Sequence, residues 1–201
     1  EEKTVENPQC IRCGKCVSVC PMHLEPLFMY QYASKGMVEE LNDAHIMDCM
    51  ECGACAYACP ARMHLTHMFK TGKQLVKNKA AADKEEIRRK NVEALKDSAV
   101  YRSFHDNRFT PSYNDYRELE KAVNRAYDNC MERLHDIYPS IKDYELKACL
   151  LIKADVPLKN IAVNLGMEQN ALSMLRARLY KKMFQAKKGS ATMLDDFIKS
   201  L

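Results

Sequence analysis

The sequence contains few glycines and no long apolar run, and each shortage excludes a class of protein. Its six glycines form neither a G-x-G-x-x-G fingerprint nor a phosphate-binding P-loop. Its longest apolar stretches, such as Ala148–Ile152, fall far short of the about 20 residues that cross a membrane as a helix. No catalytic triad or pair of acid–base carboxylates stands out either, so we expect the chain to have no active site of its own.

The sequence also lacks low-complexity tracts and the pattern of a secretory signal peptide. Its apolar fraction of 47% is typical of a globular protein. The ten cysteines would indicate disulfides in a small secreted chain, but eight of them have the spacing of metal ligands. We therefore expect a reducing, cytoplasmic environment.

Charge is distributed unevenly along the chain. Residues 1–60 contain four Lys or Arg and nine Asp or Glu, a net charge of −5, whereas residues 151–190 contain eight and two, a net charge of +6. An acidic first part and a basic last part predict two modules with different partners.

The strongest motif is a run of four cysteines that occurs twice. The first run extends from Cys10 to Pro21 and the second from Cys49 to Pro60, and both follow the pattern C-x2-C-x2-C-x3-C-P. This is the bacterial pattern that binds pairs of [4Fe–4S] clusters, in which the fourth cysteine of each run binds the other cluster. The sequence therefore predicts two [4Fe–4S] clusters, the first bound by Cys10, Cys13, Cys16 and Cys59 and the second by Cys49, Cys52, Cys55 and Cys20. We expect the chain to be an electron carrier or a subunit of a larger oxidoreductase complex.

Residues in and between the runs fit this interpretation. Gly14 and Gly53 allow the backbone to approach a cluster closely. Between the runs, Leu24–Lys35 is predicted to form a short helix that ends before Gly36. We expect an apolar shell that tunes the cluster potentials, formed by Ile11, Val17, Val19, Met50, Tyr57 and Ala58.

The alternative for these cysteines is zinc. Zinc needs four ligands, commonly two C-x2-C pairs, and two complete runs with a proline after each fourth cysteine exceed that need. The remaining thiols, Cys130 and Cys149, lie on apolar faces of predicted helices and are expected in a core. Four histidines near the runs are predicted to be surface or packing residues, namely His23, His45, His64 and His67.

The residues around the cysteines carry a more specific resemblance. The segments Pro8–Leu27 and His45–Pro60, followed by F-K-T-G-K at Phe69–Lys73, resemble the C subunit of the Rnf electron-transport complex over about residues 5–90. The resemblance implies a module that passes electrons to flavin-containing or other redox subunits of an ion-pumping membrane complex. It also implies a cytoplasmic location, peripheral on the cytoplasmic face of the inner membrane.

The rest of the chain is predicted to be helical, which gives a mostly α fold in three parts. Residues 1–69 form a small two-cluster ferredoxin-like domain, residues 70–97 a helical linker, and residues 98–201 an all-α bundle with a helix-turn-helix.

Two helices are predicted in the first half of the bundle. Apolar residues at helical spacing from Tyr116 to Ile137 predict one amphipathic helix bounded by Pro111 and Pro139. Ser140 and Asp143 predict a capping box that opens the next helix, over about Ile141–Lys153.

Two further helices, separated by a turn near Gly166, have the residue pattern of a helix-turn-helix. The exposed face of the second of them is predicted to contact DNA, with polar residues near its start reaching base edges and cations farther along neutralising phosphates. The predicted contacts are Gln169, Asn170, Ser173, Arg176, Arg178, Lys181 and Lys182. The alternative is a basic, solvated helix in a protein-binding bundle.

Residues 95–201 resemble the C-terminal LuxR-type domain of Bacteroidetes regulators. The resemblance rests on Tyr144–Lys153, on R-x-R-L-Y-x-K from Arg176, and on the closing residues Asp196, Phe197, Ile198, Ser200 and Leu201. It implies duplex DNA as a partner. Three functional hypotheses follow: an iron–sulfur electron-transfer module fused to a DNA-binding domain, a redox-responsive transcription regulator, or a composite chain with two independent modules.

Overall fold

The computed structural model of the chain describes residues 9–201, and within that range it is mostly helical and contains no strand. The prediction of a mostly α-helical chain is therefore confirmed. No helix of residues 9–201 is long and apolar enough to cross a membrane. The helices, in chain order, are α1 Lys15–Ser18, α2 Pro26–Lys35, α3 Val38–Asp43, α4 Ala54–Tyr57, α5 Leu65–Asp97, α6 Ala99–His105, α7 Tyr113–Ala126, α8 Cys130–Ile137, α9 Asp143–Lys153, α10 Leu158–Asn164, α11 Gln169–Phe184 and α12 Ala191–Ser200.

The chain forms two compact units that divide within α5. The N-terminal unit ends at Glu85, and the C-terminal unit spans Glu86–Leu201. The predicted linker, residues 70–97, lies inside this one helix of 33 residues. The middle of α5 is solvated, and ion pairs one turn apart support it, including Lys79 with Asp83 and Lys90 with Glu86.

The N-terminal unit is built from two copies of one pattern. Each cysteine run contains a one-turn helix, α1 or α4, which follows a left-handed glycine, Gly14 or Gly53. Each run is then followed by a longer helix, α2 or α5. The small core of the unit includes Met29 of α2, Leu41 of α3, Ile46, and Leu65 and Phe69 of α5. Because this core is small, bound metal would supply much of the unit's stability.

Gly72 allows α2 and α5 to approach closely. A Cβ atom at this position would lie 2.5 Å from Cδ1 of Ile46 and 3.2 Å from Cβ of Ala33, both of which are buried. Any side chain would therefore push the two helices apart or displace the core. The glycine of F-K-T-G-K thus has a packing role.

The predicted helix from Tyr116 to Ile137 is wrong as a single element, because it is broken between α7 and α8. Asp128 and Asn129 have left-handed backbones, with φ of 49° and 55°. Asn124 stabilises the break, since its side-chain oxygen accepts from the backbone N–H of Met131 at 2.9 Å. Its carbonyl also accepts from the N–H of Asn129. The apolar spacing continues across the break, which is why the pattern alone did not indicate it.

The start of α9 also differs from the prediction. The helix begins at Asp143, and the backbone N–H of Lys142 donates to the Glu145 carboxylate at 3.0 Å. The Ser140–Asp143 capping box is therefore replaced by a cap farther along the chain. Glu145 is almost completely buried and also binds Lys182 at 3.3 Å. The acidic residue that caps α9 thus joins it to α11.

The core of the C-terminal unit draws on helices from α5 to α12. It includes Phe104, Leu119, Leu134, Leu151 and Leu172, all with an exposed fraction of 1% or less. The backbone turns at Gly166, with φ of 63°, between α10 and α11. Helix α12 packs against α9 and α11. The three helices α9, α10 and α11, joined by short turns, form the scaffold on which the predicted DNA-contacting residues lie.

Candidate metal centre

The eight cysteines of the two runs line two cavities of the N-terminal unit. Cys10, Cys13, Cys16 and Cys59 line the first cavity, which has a volume of about 370 Å³. Cys20, Cys49, Cys52 and Cys55 line the second cavity, which is narrower, about 20 Å³. Each cavity thus receives three thiols from one run and the last thiol of the other run. These are the two groups of cysteines that the sequence predicts as ligand sets.

The two loops that carry the cysteines have matching backbones. Arg12 and Glu51, between the first two cysteines of each run, are left-handed, with φ of 55° and 56°. Gly14 and Gly53 follow with φ of 73° and 79°, and nothing lies within 4 Å of a Cβ placed on either glycine. Both glycines are therefore required for their conformation and not for space. Non-glycine residues in this conformation are strained, and strain repeated in both copies indicates a functional constraint.

Two backbone N–H groups point at cysteine sulfurs. The N–H of Arg12 lies 3.3 Å from Sγ of Cys10, and the N–H of Leu24 lies 3.4 Å from Sγ of Cys20. Donors directed at sulfur stabilise the thiolate form that binds metal. They are among the features that set the potential of an iron–sulfur site.

Burial disfavours the thiolate form of two of these cysteines. Desolvation raises the pKa of the Cys55 thiol to about 11 and also raises the pKa of the Cys16 thiol. Since metals bind the thiolate, loading these sites must release protons.

The walls of the cavities are largely apolar, but the predicted shell is only partly correct. Ile11 and Val17 line the first cavity and Met50 lines the second. Val19 and Ala58 line neither of them. Tyr57 is 95% exposed and faces a shallow hollow that also includes two of the histidines near the runs.

The thiols surround cavities and do not converge on points. Among residues 9–201, no three His, Cys, Asp or Glu side chains are placed to hold a single metal ion. The four histidines near the runs, within the same described range, line neither cysteine cavity. The first cavity, with four thiols around about 370 Å³, has room for a multi-atom cluster.

Cys130 and Cys149 are buried in the C-terminal unit, as predicted. Both are completely inaccessible. Desolvation raises the pKa of Cys149 to about 12 and also raises the pKa of Cys130. A buried, protonated thiol is a poor nucleophile.

We therefore expect an alkylating reagent to modify the cysteines of the two runs but not Cys130 or Cys149, because the run cysteines are exposed or partly exposed. Cys16 and Cys55 should react more slowly than the other six, because burial raises the pKa of both thiols. Mass spectrometry of peptides after a short treatment with iodoacetamide measures this directly. Denaturation in urea should make Cys130 and Cys149 reactive. Rapid labelling of either thiol without denaturant would contradict their burial.

Sequence reasoning missed Lys73, which binds the second cysteine loop. Its Nζ donates to the backbone carbonyl of Cys49 and to Oε1 of Glu51 at 2.9 Å. The hydrogen bond from Lys73 holds the pKa of the Glu51 carboxyl below its usual range. The cysteine spacing contains no signal for a lysine 24 residues beyond Cys49. The segment F-K-T-G-K, which ends at Lys73, supports a family resemblance but does not indicate this contact.

Not all of the residues predicted to contact DNA are accessible in the structure. Those that are exposed or partly exposed and have no ion-pair partner within residues 9–201 are Gln169, Asn170, Ser173, Arg178 and Lys181. Lys182 binds the buried carboxylate of Glu145. The prediction for Arg176 is wrong, because this residue is buried, with 6% exposure, and pairs with Asp195 of α12. Helical spacing places Arg176 at the edge of the apolar face, and only the position of α12 decided that it is covered.

Comparison with known proteins bears on the N-terminal unit. Residues 3–60 match the family described as "4Fe-4S dicluster domain". Over 39 residues the chain is 46% identical to the C subunit of the "Na(+)-translocating ferredoxin:NAD(+) oxidoreductase complex" of Acetobacterium woodii. That segment covers 19% of this chain and 9% of the relative, so the chain spans only a small part of that protein.

The N-terminal unit therefore contains an iron–sulfur module of the 4Fe-4S dicluster type, similar to a segment of that C subunit. The match ends at the second cysteine run, and α5–α12 lie outside it.

Proposed function

We propose that this chain carries electrons one at a time through two [4Fe–4S] clusters held by its N-terminal unit. The observation that carries the proposal is the division of eight thiols between two cavities, each lined by four. Four thiolates per site is the ligand number of a [4Fe–4S] cluster, and such clusters, when bound, take up and release single electrons.

The proposed ligand sets follow from the same cavities. Cys10, Cys13, Cys16 and Cys59 would hold the first cluster, and Cys49, Cys52, Cys55 and Cys20 the second. The chain's own contribution is to keep these thiols in place through the left-handed loops, to direct N–H groups at Cys10 and Cys20, and to surround the sites with apolar side chains. The exposed thiols Cys10, Cys13 and Cys52 would lie where a partner protein could approach.

The partners that this function requires are redox proteins, because electrons must enter and leave the module. The similarity to the C subunit of an oxidoreductase complex favours a flavoprotein or an iron–sulfur protein as donor and as acceptor. In this proposal the module works in the cytoplasm, bound peripherally to a membrane complex of the Rnf kind.

Anaerobic reconstitution with iron and sulfide tests this function. The full chain should bind about eight iron atoms, as two four-iron sites require, and show a broad visible absorbance that decreases on reduction. A chain that takes up zinc in preference to iron, or that binds no iron, would disprove the proposal.

For the C-terminal unit we infer a second function, binding of duplex DNA. It is supported by α10 and α11, which are joined by a tight turn at Gly166, and by the polar and basic surface of α11 that includes Asn170, Arg178 and Lys181. The competing function is protein binding, which the exposed Val163 and Met174 on the same two helices favour.

DNA binding by the full chain should weaken steeply with salt, because cations on α11 would replace counterions on the phosphates. Changing Arg178 and Lys181 together to alanine should reduce the affinity and the salt slope. Arg89 and Lys96 of α5 offer a matched control, since both are exposed and the change removes the same two charges. Equal DNA affinities of the two double variants would favour the competing function, protein binding.

A redox-responsive regulator would combine the two functions, and independent modules would not. Equal DNA affinities of the oxidised, reduced and metal-free chain would indicate independent modules. An affinity that differs between these forms would support the regulator.

A further inference from the structure

The two cysteine loops share a backbone but differ in charge. Arg12 in the first loop corresponds to Glu51 in the second. The helices that follow differ as well, since Ser34 of α2 occupies the position of Lys73 in α5. The Ser34 hydroxyl donates to the carbonyl of Tyr30 in its own helix, at 2.7 Å. Of Ser34 and Lys73, only Lys73 connects its helix to a cysteine loop through a charged side chain.

Lys73 is held firmly at this loop. Its side chain is only 16% exposed, and that of Glu51 is 29% exposed. Its bonds reach both the backbone of a predicted ligand, Cys49, and a carboxylate that lines the second cavity. A cation with little exposure is screened less by water than one on the surface.

We propose that Lys73 is a positioning residue that fixes the second cysteine loop and raises the reduction potential of the cluster bound there, while Glu51 lowers it. This inference rests on the proposed function. Reduction adds one electron to a site that already carries four thiolates, so a fixed positive charge beside Cys49 stabilises the reduced form. The carboxylate of Glu51 opposes that effect, and Lys73 partly neutralises it.

The two members of the pair therefore have opposite expected effects. Lys73→Met keeps the aliphatic stem of the side chain but removes its charge, and should move one potential to a more negative value. Glu51→Gln keeps the shape and removes the opposing charge, and should move the same potential to a more positive value. A purely structural role would not produce shifts of opposite sign.

The experiment is a redox titration of the full chain, loaded with iron and sulfide without oxygen and followed by electron paramagnetic resonance. Iron content is measured first for every variant. We expect one of two titration steps to shift in Lys73→Met and in Glu51→Gln, in opposite directions, while the other step stays in place. Lys70→Met is the matched control, because Lys70 is an exposed lysine of the same helix that forms no hydrogen bond to the loop within residues 9–201. Its charge also acts on Glu51 but from the solvent, so its shift should be smaller.

The failures of the two proposals are distinguishable. If the wild-type chain binds no iron after loading, both the proposed function and the role of Lys73 are disproved. Fully loaded variants with unmoved potentials, or a shift in Lys70→Met equal to that in Lys73→Met, would overturn the role of Lys73 alone. If Lys73→Met loses half of its iron, its potential cannot be compared, and the Glu51→Gln variant becomes the test. Two titration steps that both stay at the wild-type potentials in Glu51→Gln would then overturn the inference.

Discussion

Replacing Cys59 with alanine will lower the iron content of the anaerobically loaded chain from about eight atoms to about four, and the cluster that is lost will be the one held by the first run. Cys59 belongs to the second run in sequence. It nevertheless lines the same cavity as Cys10, Cys13 and Cys16.

The decisive comparison is between variants. Cys59→Ala and Cys10→Ala should both lose the first cluster. The cluster that remains should therefore give the same electron paramagnetic resonance signal and the same reduction potential in both variants. Cys20→Ala and Cys49→Ala should share the other signal, since these two thiols line the second cavity. Cys130→Ala serves as the control, because this buried thiol belongs to the C-terminal unit and lines neither cysteine cavity, so its loss should not change the iron content.

The opposite grouping would contradict the crossed arrangement. If Cys59→Ala matched Cys49→Ala, each cluster would be bound by the four cysteines of one run. The geometry argues against this grouping, because each fourth thiol lies beyond a one-turn helix, α1 or α4, and lines the cavity of the other run.

Asp195→Asn will destabilise the C-terminal unit by about 3–5 kcal/mol, because it leaves the guanidinium of Arg176 buried without a counter-charge. Arg176 and Asp195 form a hydrogen-bonded ion pair between α11 and α12, with exposed side-chain fractions of 8% and 20%. Both side chains give up most of their hydration to form the pair, so the guanidinium that remains after the change has neither water nor a counter-charge.

Urea unfolding of the full chain, followed by far-UV circular dichroism, measures the effect. Asp196→Asn is the matched control, since it makes the same chemical change at an exposed neighbour and should alter stability by less than about 0.5 kcal/mol. The double change Arg176→Met with Asp195→Leu should recover much of the loss, because replacing both members removes both buried charges. Equal stabilities of Asp195→Asn and Asp196→Asn would show that the pair does not hold α12 in place.

The cysteine chemistry could be predicted from the sequence because it depends on local spacing. Residues at fixed intervals around a left-handed glycine take up one loop conformation, which Gly14 and Gly53 show in both copies. The helix expected at Leu24–Lys35 is present as α2 and ends at Gly36, since its apolar spacing and its end signal are local as well.

Other features depend on contacts between distant residues. The break between α7 and α8 depends on the side chain of Asn124, which bonds to a backbone N–H seven residues later. The burial of Arg176 depends on α12, and the attachment of the second loop depends on α5. Periodicity cannot indicate such contacts, because it records only which face of a helix is apolar.

The sequence by itself determined the chemistry of the N-terminal unit, because two cysteine runs with iron–sulfur spacing have few other uses. Only the tertiary structure decided which residues modify that chemistry and which remain available to partners. It brought Lys73 of α5 into contact with the second loop, and it buried Arg176 while leaving Arg178 and Lys181 accessible. The physical reason is that charge acts through space, and the distance between side chains is decided by packing and not by their order in the chain.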